Sequence, residues 1–410
     1  MAGSHNAAPP AAAFLCLIFI AKLKLASPMS LLKTDPTTDP KAPKTKTREW
    51  ADSLIFAIVA ATLIRWATFE AYTIPSPSME NSLLVGDYLF VSKLHYGPIT
   101  PQTPLQVPLT HQTMWGTGLK SYSELIQLPT YRLPGFSEIK RNDVVVFHVP
   151  HETQYPADLR TNYIKRCVAV AGDTLEIRDA QVFLNGKPGV TPPGLQTTYF
   201  MQVDNPNDEV LAALRAQGVV DYDQPNGSPQ AVATPDGKFG YSISCTKAAA
   251  DYFRQQPYVN SLTVLQPQVQ LFPDRADFNN SGAMSATPRN WSLDNYGPLP
   301  IPKKGQTIAL SPANAAIYYK IVARYEHNTD ITWQNGMIYR NGKMLTSYTV
   351  KQNYYMMMGD NRHNSEDSRF WGFVPEDHVV GKAVLIWLSI DPNADFWHKI
   401  RWNRLFNIIR

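Results

Sequence analysis

The longest apolar stretch of the 410-residue chain lies at residues 50–69 and reads WADSLIFAIVAATLIRWATF. A helix of about 20 apolar residues is needed to cross the hydrocarbon core of a membrane, and this stretch just reaches that length. Trp50 and Trp66 lie near its ends, where the aromatic residues of membrane interfaces are enriched. We therefore predict a transmembrane helix over residues 50–71. The alternative is a buried core helix.

The charges before this stretch are mostly basic. Seven lysines and arginines lie between residues 22 and 48, against two aspartates. By the positive-inside rule this basic side is cytoplasmic, so the chain beyond about residue 72 is predicted to lie outside the cytoplasmic membrane. An earlier apolar run at residues 11–21 is interpreted as a short first membrane segment or as a signal-like segment. Residues 1–49 thus form an N-terminal segment.

Beyond the predicted anchor, short β-strands alternate with turn residues. Val, Ile, Tyr and Phe are concentrated in four runs bounded by Gly, Asn, Asp or Pro, at residues 88–91, 144–149, 163–171 and 174–184. The pattern predicts a mainly β fold, with a first part over residues 72–187 and a second part over residues 331–390.

An α+β insertion is predicted between the two β parts, at residues 188–330. The segment GMIYRNGK at residues 336–343 resembles QVFLNGK at residues 181–187, which suggests similar strand-turn units on either side of it. Two unrelated Asn-Gly turns are an equally good interpretation. Cap and stop signals predict helices within the insertion at residues 208–217, 246–256 and 311–325.

The tail, residues 391–410, mixes lysines and arginines with tryptophans and phenylalanines. Such a segment is typical of an amphipathic element on anionic lipid. A terminal helix docked on the domain explains it equally well.

Composition excludes several classes of protein. A net charge of +4 does not indicate a nucleic-acid-binding protein, and a mean hydropathy of −0.25 excludes a polytopic membrane protein. Cys16, Cys167 and Cys245 cannot form a disulfide framework, although Cys167 and Cys245 could bridge. No metal or cofactor motif occurs, and neither does the G-x-S-x-G signature of many hydrolases. Nine scattered histidines leave a Ser-His-Asp triad open.

Three segments carry candidate chemistry, and the first is IPSPSME at residues 74–80, directly after the predicted anchor. Each proline disfavours a helical conformation in the residue before it, so the chain is predicted to leave the membrane extended. The hydroxyls of Ser76 and Ser78 would then lie near the membrane surface. Taken alone, this segment is better explained as a Pro/Ser linker.

The second segment is NYIKRCVAVAGD at residues 162–173. Strand alternation places Lys165 and Cys167 on one face and Ile164 and Arg166 on the other. A lysine on the inner face would be partly desolvated, which lowers its pKa toward the value that a general base needs. A solvated lysine on an edge strand is the alternative.

The third segment is GDNRHNSEDSRFWGFVP at residues 359–375. It places hydroxyl, carboxylate and guanidinium groups between two apolar stretches, which is costly unless these groups bond one another. We predict a buried polar network that supports a site. A metal-binding loop is less consistent with the order of the acidic residues.

In this order after a membrane anchor, the three segments resemble bacterial signal peptidase I (leader peptidase), a family of Ser-Lys endopeptidases. The resemblance covers residues 50–187 and 336–390. It implies that Ser78 is the nucleophile and Lys165 the general base. It also implies that the Ser76 hydroxyl joins the Ser78 backbone N–H in an oxyanion hole.

The same resemblance assigns supporting roles in the third segment. Ser365 matches a hydroxyl that orients the lysine amine, and Asp367 and Arg369 match a supporting ion pair. The chain departs from the family pattern at Pro77, where glycine is common, at Asn142, where glycine is usual, and at His363, where an acidic residue is frequent.

The resemblance implies a signal-peptidase-like β-sheet catalytic domain that works without a cofactor at the outer face of the bacterial cytoplasmic membrane. Its partners would be preproteins with signal peptides that end in small residues, and membrane lipid. Two rival hypotheses are a repressor-type Ser-Lys autoprotease and a non-catalytic membrane-anchored scaffold. The predicted anchor argues against the first, and the co-occurrence of the three segments argues against the second.

Overall fold

A computed structural model describes residues 45–222, 224, 227–267, 269–273 and 291–410. The apolar run at residues 11–21, most of the basic N-terminal stretch and Cys16 lie outside the described residues. The helices are α1 (Lys46–Ala67), α2 (Asp208–Ala216), α3 (Lys247–Arg254), α4 (Ala315–Lys320) and α5 (Ser368–Trp371). Single 3₁₀ turns cover Pro77–Met79, Ala157–Leu159, Glu376–His378 and Trp402–Arg404, and a π-helical turn covers Ile321–Tyr325.

The fold is mainly β, as predicted. In chain order the strands are β1 (Phe69–Thr73), β2 (Asp87–Ser92), β3 (Val144–His148), β4 (Asn162–Ala169), β5 (Thr174–Arg178), β6 (Gln181–Leu184), β7 (Lys187–Pro188), β8 (Gln196–Val203), β9 (Val232–Ala233), β10 (Phe239–Thr246), β11 (Val259–Val264), β12 (Tyr296–Pro300), β13 (Thr307–Ala309), β14 (Ile331–Gln334), β15 (Met337–Arg340), β16 (Lys343–Met344), β17 (Ser347–Thr349), β18 (Tyr354–Met358), β19 (Val374–Pro375), β20 (Val379–Ser389) and β21 (Asn407–Ile408).

Helix α1 is long and apolar enough to cross a membrane, with a mean hydropathy of 1.4, and none of its residues is buried. Strand β1 follows it directly, and an ion-pair cluster ties the two elements together. Glu70 pairs with Arg65 at the helix end and with Lys93 at 2.7 Å. Burial alone would raise the pKa of Glu70, but Lys93 and Arg65 outweigh it and lower the pKa to about 2. The helix therefore leaves directly from the edge of the main sheet.

The main sheet is antiparallel, with strand order β1-β2-β20-β3-β4-β18-β19 and β21 paired with β20. Strand β4 lies inside this sheet, where Val145 of β3 faces Lys165 and Met357 of β18 faces Cys167. The solvated edge strand that was the alternative for Lys165 is therefore wrong. Apolar clusters cover the sheet, one of them containing Met79, Leu83, Leu89 and Val146.

The insertion contains a four-stranded sheet, β11-β8-β10-β9, with helices α2 and α3. Asn207 caps α2 and Thr246 caps α3 through their side-chain oxygens, as the cap signals predicted. This unit has its own core, in which Tyr199, Met201 and Phe253 are buried. Strand β12 leaves the insertion and pairs with β5, so the insertion is joined to the first β part by a shared sheet.

The third predicted helix is shorter than expected. The predicted cap, Ser311, instead forms a turn in which its backbone N–H donates to the Asn314 side chain at 2.8 Å, and α4 begins after it. A π-helical turn then completes the predicted span to Tyr325. Both Asn-Gly pairs are two-residue hairpin turns with left-handed backbones, for example φ 52° at Asn185 and φ 49° at Asn341. The two strand-turn units are therefore alike.

The tail is docked on the domain, as one of its two interpretations had it, but through a 3₁₀ turn and a short strand instead of a helix. Strand β21 pairs with β20, and Arg404 forms an ion pair of 2.6 Å with the buried Asp87. Several tail aromatics remain exposed, such as Trp397 at 85 % and Phe406 at 72 %. The guanidinium of Arg404 is thus occupied by a carboxylate of the domain.

Candidate active site

The turn that carries Ser78 is built by its prolines. Ser76 is extended, with φ −133° and ψ 153°, and Pro77 begins a single 3₁₀ turn that ends at Met79. The side chain of Met79 is fully buried and anchors the turn in the apolar core. As the second residue of the turn, Ser78 has a backbone N–H that no carbonyl within the turn can accept. The sequence therefore presents a hydroxyl and a free amide from the same residue.

Lys165 reaches this turn from the middle of the main sheet. Its Nζ lies 2.9 Å from Oγ of Ser78 and 3.1 Å from the carbonyl oxygen of Ile164. The lysine side chain also lies against the Tyr163 ring, with Nζ 5.1 Å from the ring centroid. The structure thus brings the two principal predicted residues into direct hydrogen-bond contact across 87 positions of sequence.

The amine of Lys165 is in an environment that disfavours its charge. Only 4 % of the residue is exposed, and burial lowers its pKa to about 8, although Asp367, Glu366 and Asp360 act in the opposite direction. At neutral pH a pKa of about 8 leaves roughly a tenth of the molecules with a neutral amine. A neutral amine 2.9 Å from a serine hydroxyl can accept its proton.

Ser76 lies beside the turn that carries Ser78, with its Oγ 3.5 Å from Oγ of Ser78. An extended Ser76 followed by a 3₁₀ turn places its hydroxyl on the same side as the Ser78 hydroxyl. Pro77 removes one backbone N–H from the segment, but it removes neither the Ser76 hydroxyl nor the Ser78 amide. Both expected oxyanion donors are therefore available at the turn.

Ser365 is close to the site but does not contact the amine. Its Oγ is buried and has no hydrogen-bond partner among the described residues, whereas Nζ of Lys165 bonds Ser78 and Ile164 instead. Ser365 lies against Gly359, whose Cα also faces the carbonyl oxygen of Ser78. The expected role of Ser365 in orienting the lysine amine stays a prediction.

Asp367 and Arg369 form a fully buried ion pair, with Nη2 of Arg369 2.8 Å from Oδ2 of Asp367. Asp367 also accepts the backbone N–H of Gly359 at 3.1 Å and caps the N-terminus of α5. Burial would raise the pKa of Asp367, but Arg369 and these N–H donors outweigh it, so its pKa is lowered. The carboxylate thus fixes both ends of the loop that contains Ser365.

A second buried ion pair joins the strand of the lysine to the same loop. Arg166 follows Lys165 and donates to Asp360, with Nη2 2.6 Å from Oδ2. Asp360 in turn accepts a hydrogen bond from the Ser82 hydroxyl at 2.5 Å, so one carboxylate joins β4, the loop and the segment after Ser78. Sequence alternation placed Arg166 on the face opposite Lys165 but did not show that this face is buried too.

Asn361 completes the contact between the loop from Gly359 to Asp367 and the turn that carries Ser78. Its backbone N–H donates to the Ser78 carbonyl at 3.1 Å, and its Nδ2 donates to the Pro77 carbonyl at 3.3 Å. Asn361 was part of the third segment, yet its role was missed because nothing in a sequence shows which carbonyl a side chain will meet.

Asn142, a departure from the family pattern, has φ 70°. Asparagine tolerates this left-handed conformation and can replace glycine there.

Among the described residues, no histidine hydrogen-bonds Ser78, so the described histidines give no sign of a Ser-His-Asp triad there. His95 contacts a serine, Ser92, with Nδ1 2.8 Å from Oγ, but Ser92 is only 1 % exposed and a substrate cannot reach it. His363 is buried against Asp294, with Nε2 2.8 Å from Oδ1.

Cys167 and Cys245 are both buried free thiols, so the disulfide that the sequence permitted is absent.

The sequence matches the family described as Signal peptidase, peptidase S26, over residues 47–221 and 305–388, more than half of the chain. It is similar to the Signal peptidase I of Haemophilus influenzae, at 24 % identity over 90 % of this chain and 77 % of the relative. It is 26 % identical to the Signal peptidase I of Aquifex aeolicus, over 82 % of each chain. The Signal peptidase I of Buchnera aphidicola is 24 % identical over 85 % of this chain and 78 % of the relative.

Gly359 should tolerate no side chain, because a Cβ at this position would lie 2.5 Å from the Ser78 carbonyl oxygen and closer still to Ser365. We expect Gly359→Ala to push the loop away from the turn that carries Ser78. Peptidase activity should fall by at least about tenfold, and the free energy of unfolding should fall by about 1–3 kcal/mol. Gly189→Ala is the control, because its nearest neighbour is an ordinary contact at 3.4 Å. Activity assays and thermal unfolding of both variants test this. Equal behaviour of the two would show that the close approach is unimportant.

Proposed function

Because the chain belongs to the signal peptidase family, peptidase S26, we propose that it removes signal peptides from exported preproteins, with Ser78 as nucleophile and Lys165 as general base. The observation that carries this proposal is the 2.9 Å contact between the buried Lys165 amine and the Ser78 hydroxyl. A serine hydroxyl is a weak nucleophile until a base takes its proton, and a desolvated lysine is such a base.

In the proposed reaction, neutral Lys165 takes the proton of Ser78 while Oγ attacks the carbonyl carbon of the scissile peptide bond. The Ser78 N–H and the Ser76 hydroxyl donate hydrogen bonds to the oxygen that becomes negative. The lysine ammonium then gives its proton to the leaving amine, which leaves an ester on Ser78. The same amine then takes a proton from a water molecule that attacks the ester. As the bond between the acyl carbon and Ser78 Oγ breaks, the lysine ammonium returns this proton to Oγ and the new C-terminal carboxyl group is released.

The substrate is proposed to be a preprotein whose signal peptide ends in small residues and binds as an extended strand. Strand addition supplies backbone hydrogen bonds, and shallow pockets would admit only small side chains. Ser76, which is extended and exposed, supports this mode of binding next to the proposed nucleophile. An attachment through α1 suits a substrate whose apolar segment lies in the bilayer.

We also propose that α1 anchors the protein in the bacterial cytoplasmic membrane, with the peptidase domain on the extracytoplasmic side and in contact with lipid. The length and apolar character of α1 support the anchor. The basic residues that precede it support the orientation, because basic flanks remain in the cytoplasm. Cleavage after translocation requires the site on this side of the membrane.

Replacing either member of the proposed dyad should abolish cleavage. We expect Ser78→Ala and Lys165→Met to lower the rate of preprotein cleavage by about 10⁴-fold or more, because no other base contacts the Ser78 hydroxyl among the described residues. Cleavage is measured in detergent or vesicles, with circular dichroism to confirm folding. Lys247→Met, at an exposed lysine of α3, and His95→Ala are the controls and should retain activity. Cleavage that survives Ser78→Ala would overturn the assignment.

The hydroxyl of Ser76 should contribute strongly but not absolutely. Removing one oxyanion donor typically costs about 10²–10³ in kcat, and the Ser78 N–H would remain. We therefore expect Ser76→Ala to lower kcat by that factor with little change in KM. Steady-state kinetics on a preprotein substrate give both constants. A Ser76→Ala variant with full kcat would remove the hydroxyl from the proposed oxyanion hole.

The activity should rise with pH as Lys165 loses its proton. The pKa of the lysine is lowered to about 8, and only the neutral amine can accept the Ser78 proton, so kcat/KM should increase through about pH 8 and level off above it. The profile is measured from pH 6 to 10 on a substrate without groups that titrate in this range. Ser76→Ala should keep the same midpoint, because it does not contact the amine. A profile that is flat from pH 7 to 9 contradicts the lysine as base.

A further inference from the structure

The insertion reaches back to the nucleophilic turn through Tyr222. The Tyr222 hydroxyl donates to Oε1 of Glu80 at 3.1 Å, and Glu80 lies two residues after Ser78. The backbone N–H of Glu80 donates to the Pro77 carbonyl at 3.0 Å and closes the 3₁₀ turn. A side chain from the insertion is thus bonded to the residue that ends the catalytic turn.

Glu80 is held in an unusual position for a carboxylic acid. Only 5 % of the residue is exposed, and its second oxygen, Oε2, is buried without a hydrogen-bond partner among the described residues. Tyr222 is therefore the side chain that satisfies this carboxyl group. Because buried polar groups are costly when unpaired, the position of Glu80, and with it the end of the turn, depends on the Tyr222 hydroxyl.

The insertion is fixed on the other side of the site as well. The backbone N–H of Gln196 donates to the Asp360 carbonyl at 2.8 Å, and the backbone N–H of Arg362 donates to the Gln196 carbonyl at 3.0 Å. Asp294 is bonded to His363 within the same loop. These contacts hold the insertion against the loop that contacts Ser78. The insertion, and Tyr222 with it, therefore has a fixed position relative to this loop.

We propose that the insertion positions the nucleophile, through the hydrogen bond from Tyr222 to Glu80. Tyr222 and Glu80 are positioning residues: neither contacts Ser78 Oγ or Lys165 Nζ, and they act by fixing the turn from which the Ser78 hydroxyl and N–H project. This inference rests on the proposed peptidase function and gives the insertion a role in that reaction. A misplacement of the turn would lengthen the distance from Ser78 to Lys165 and would spoil the geometry of the oxyanion donors.

The variant Tyr222→Phe removes only the hydroxyl. We expect kcat to fall about tenfold with KM changed by less than twofold, because the turn is misplaced while the substrate surface is intact. The matched control is Tyr252→Phe, at a tyrosine that is 38 % exposed on α3 of the same insertion, which should retain wild-type kcat. Full-length protein in detergent is used throughout, and thermal unfolding records any loss of stability.

A double-mutant cycle separates positioning from general destabilisation. Glu80→Ala should lower kcat at least as much as Tyr222→Phe, and the double variant should be no worse than Glu80→Ala alone, since both changes remove one hydrogen bond. Glu80→Gln keeps an acceptor oxygen and should recover most of the activity that Glu80→Ala loses. Additive effects in the double variant, or no recovery by glutamine, would overturn the proposal.

The pH profile gives a readout that a purely structural role would not change. Burial raises the pKa of Glu80 to about 7, opposed by Tyr222 and by Arg401 and Arg404 of the tail and reinforced by Asp87 of β2. A proton on the buried carboxyl makes it a neutral acceptor for Tyr222, weaker than the carboxylate and similar to the amide of Glu80→Gln. The ratio of wild-type kcat/KM to that of Glu80→Gln should therefore fall toward one as the pH drops through 7, because the titration of Lys165 affects both proteins alike.

The outcomes distinguish this inference from the proposed function. If Ser78→Ala still cleaves preproteins, the proposed function fails and the positioning role falls with it. If Ser78→Ala is inactive while Tyr222→Phe matches Tyr252→Phe in kcat and in pH profile, the proposed function stands and only the positioning role is wrong.

Discussion

The burial of one lysine amine in the middle of a β-sheet is the constraint on which the site depends. In water the amine of Lys165 would be charged and useless as a base, and at an edge strand it would be hydrated. Strand β4 lies between β3 and β18, which leaves the amine 4 % exposed and in contact with Ser78. The sheet therefore supplies the desolvation, and the turn after the membrane helix supplies the hydroxyl.

Two buried ion pairs keep this arrangement in place. Asp360 joins Arg166, the neighbour of the lysine, to the segment after Ser78, and Asp367 joins Arg369 to Gly359. Buried ion pairs are weak evidence for stability, but the loss of one partner leaves an uncompensated charge, so they tolerate only one arrangement of the chain. Three segments distant in sequence are thereby held within hydrogen-bond distance of one another.

The sequence predicted the parts of this site that follow from local pattern. Apolar runs between turn residues predicted the mainly β fold, and strand alternation placed Lys165 on one face of its strand. The roles of Ser76, Ser78 and Lys165 were expected from the resemblance of the three segments to signal peptidase I. Contacts between distant segments have no local signal, so Tyr222 and its bond to Glu80 could not be foreseen. The helix predicted from Ser311 begins only at Ala315, because Ser311 and Asn314 first bond each other in a turn. The tail pattern left two interpretations open, because its aromatic and basic residues suit several conformations.

The same burial that lowers the pKa of Lys165 also works against folding. Its pKa is about 8 in the folded chain and 10.5 in an exposed lysine, so below pH 8 the unfolded chain binds this proton more favourably. At about 1.4 kcal/mol for each pKa unit, the cost is on the order of 3 kcal/mol, and it fades as the pH rises from 8 to 10.5. The apolar clusters on both faces of the sheet must offset it. The position of the turn that carries Ser78 therefore depends on the apolar core beneath it, where Met79 and Leu83 are fully buried.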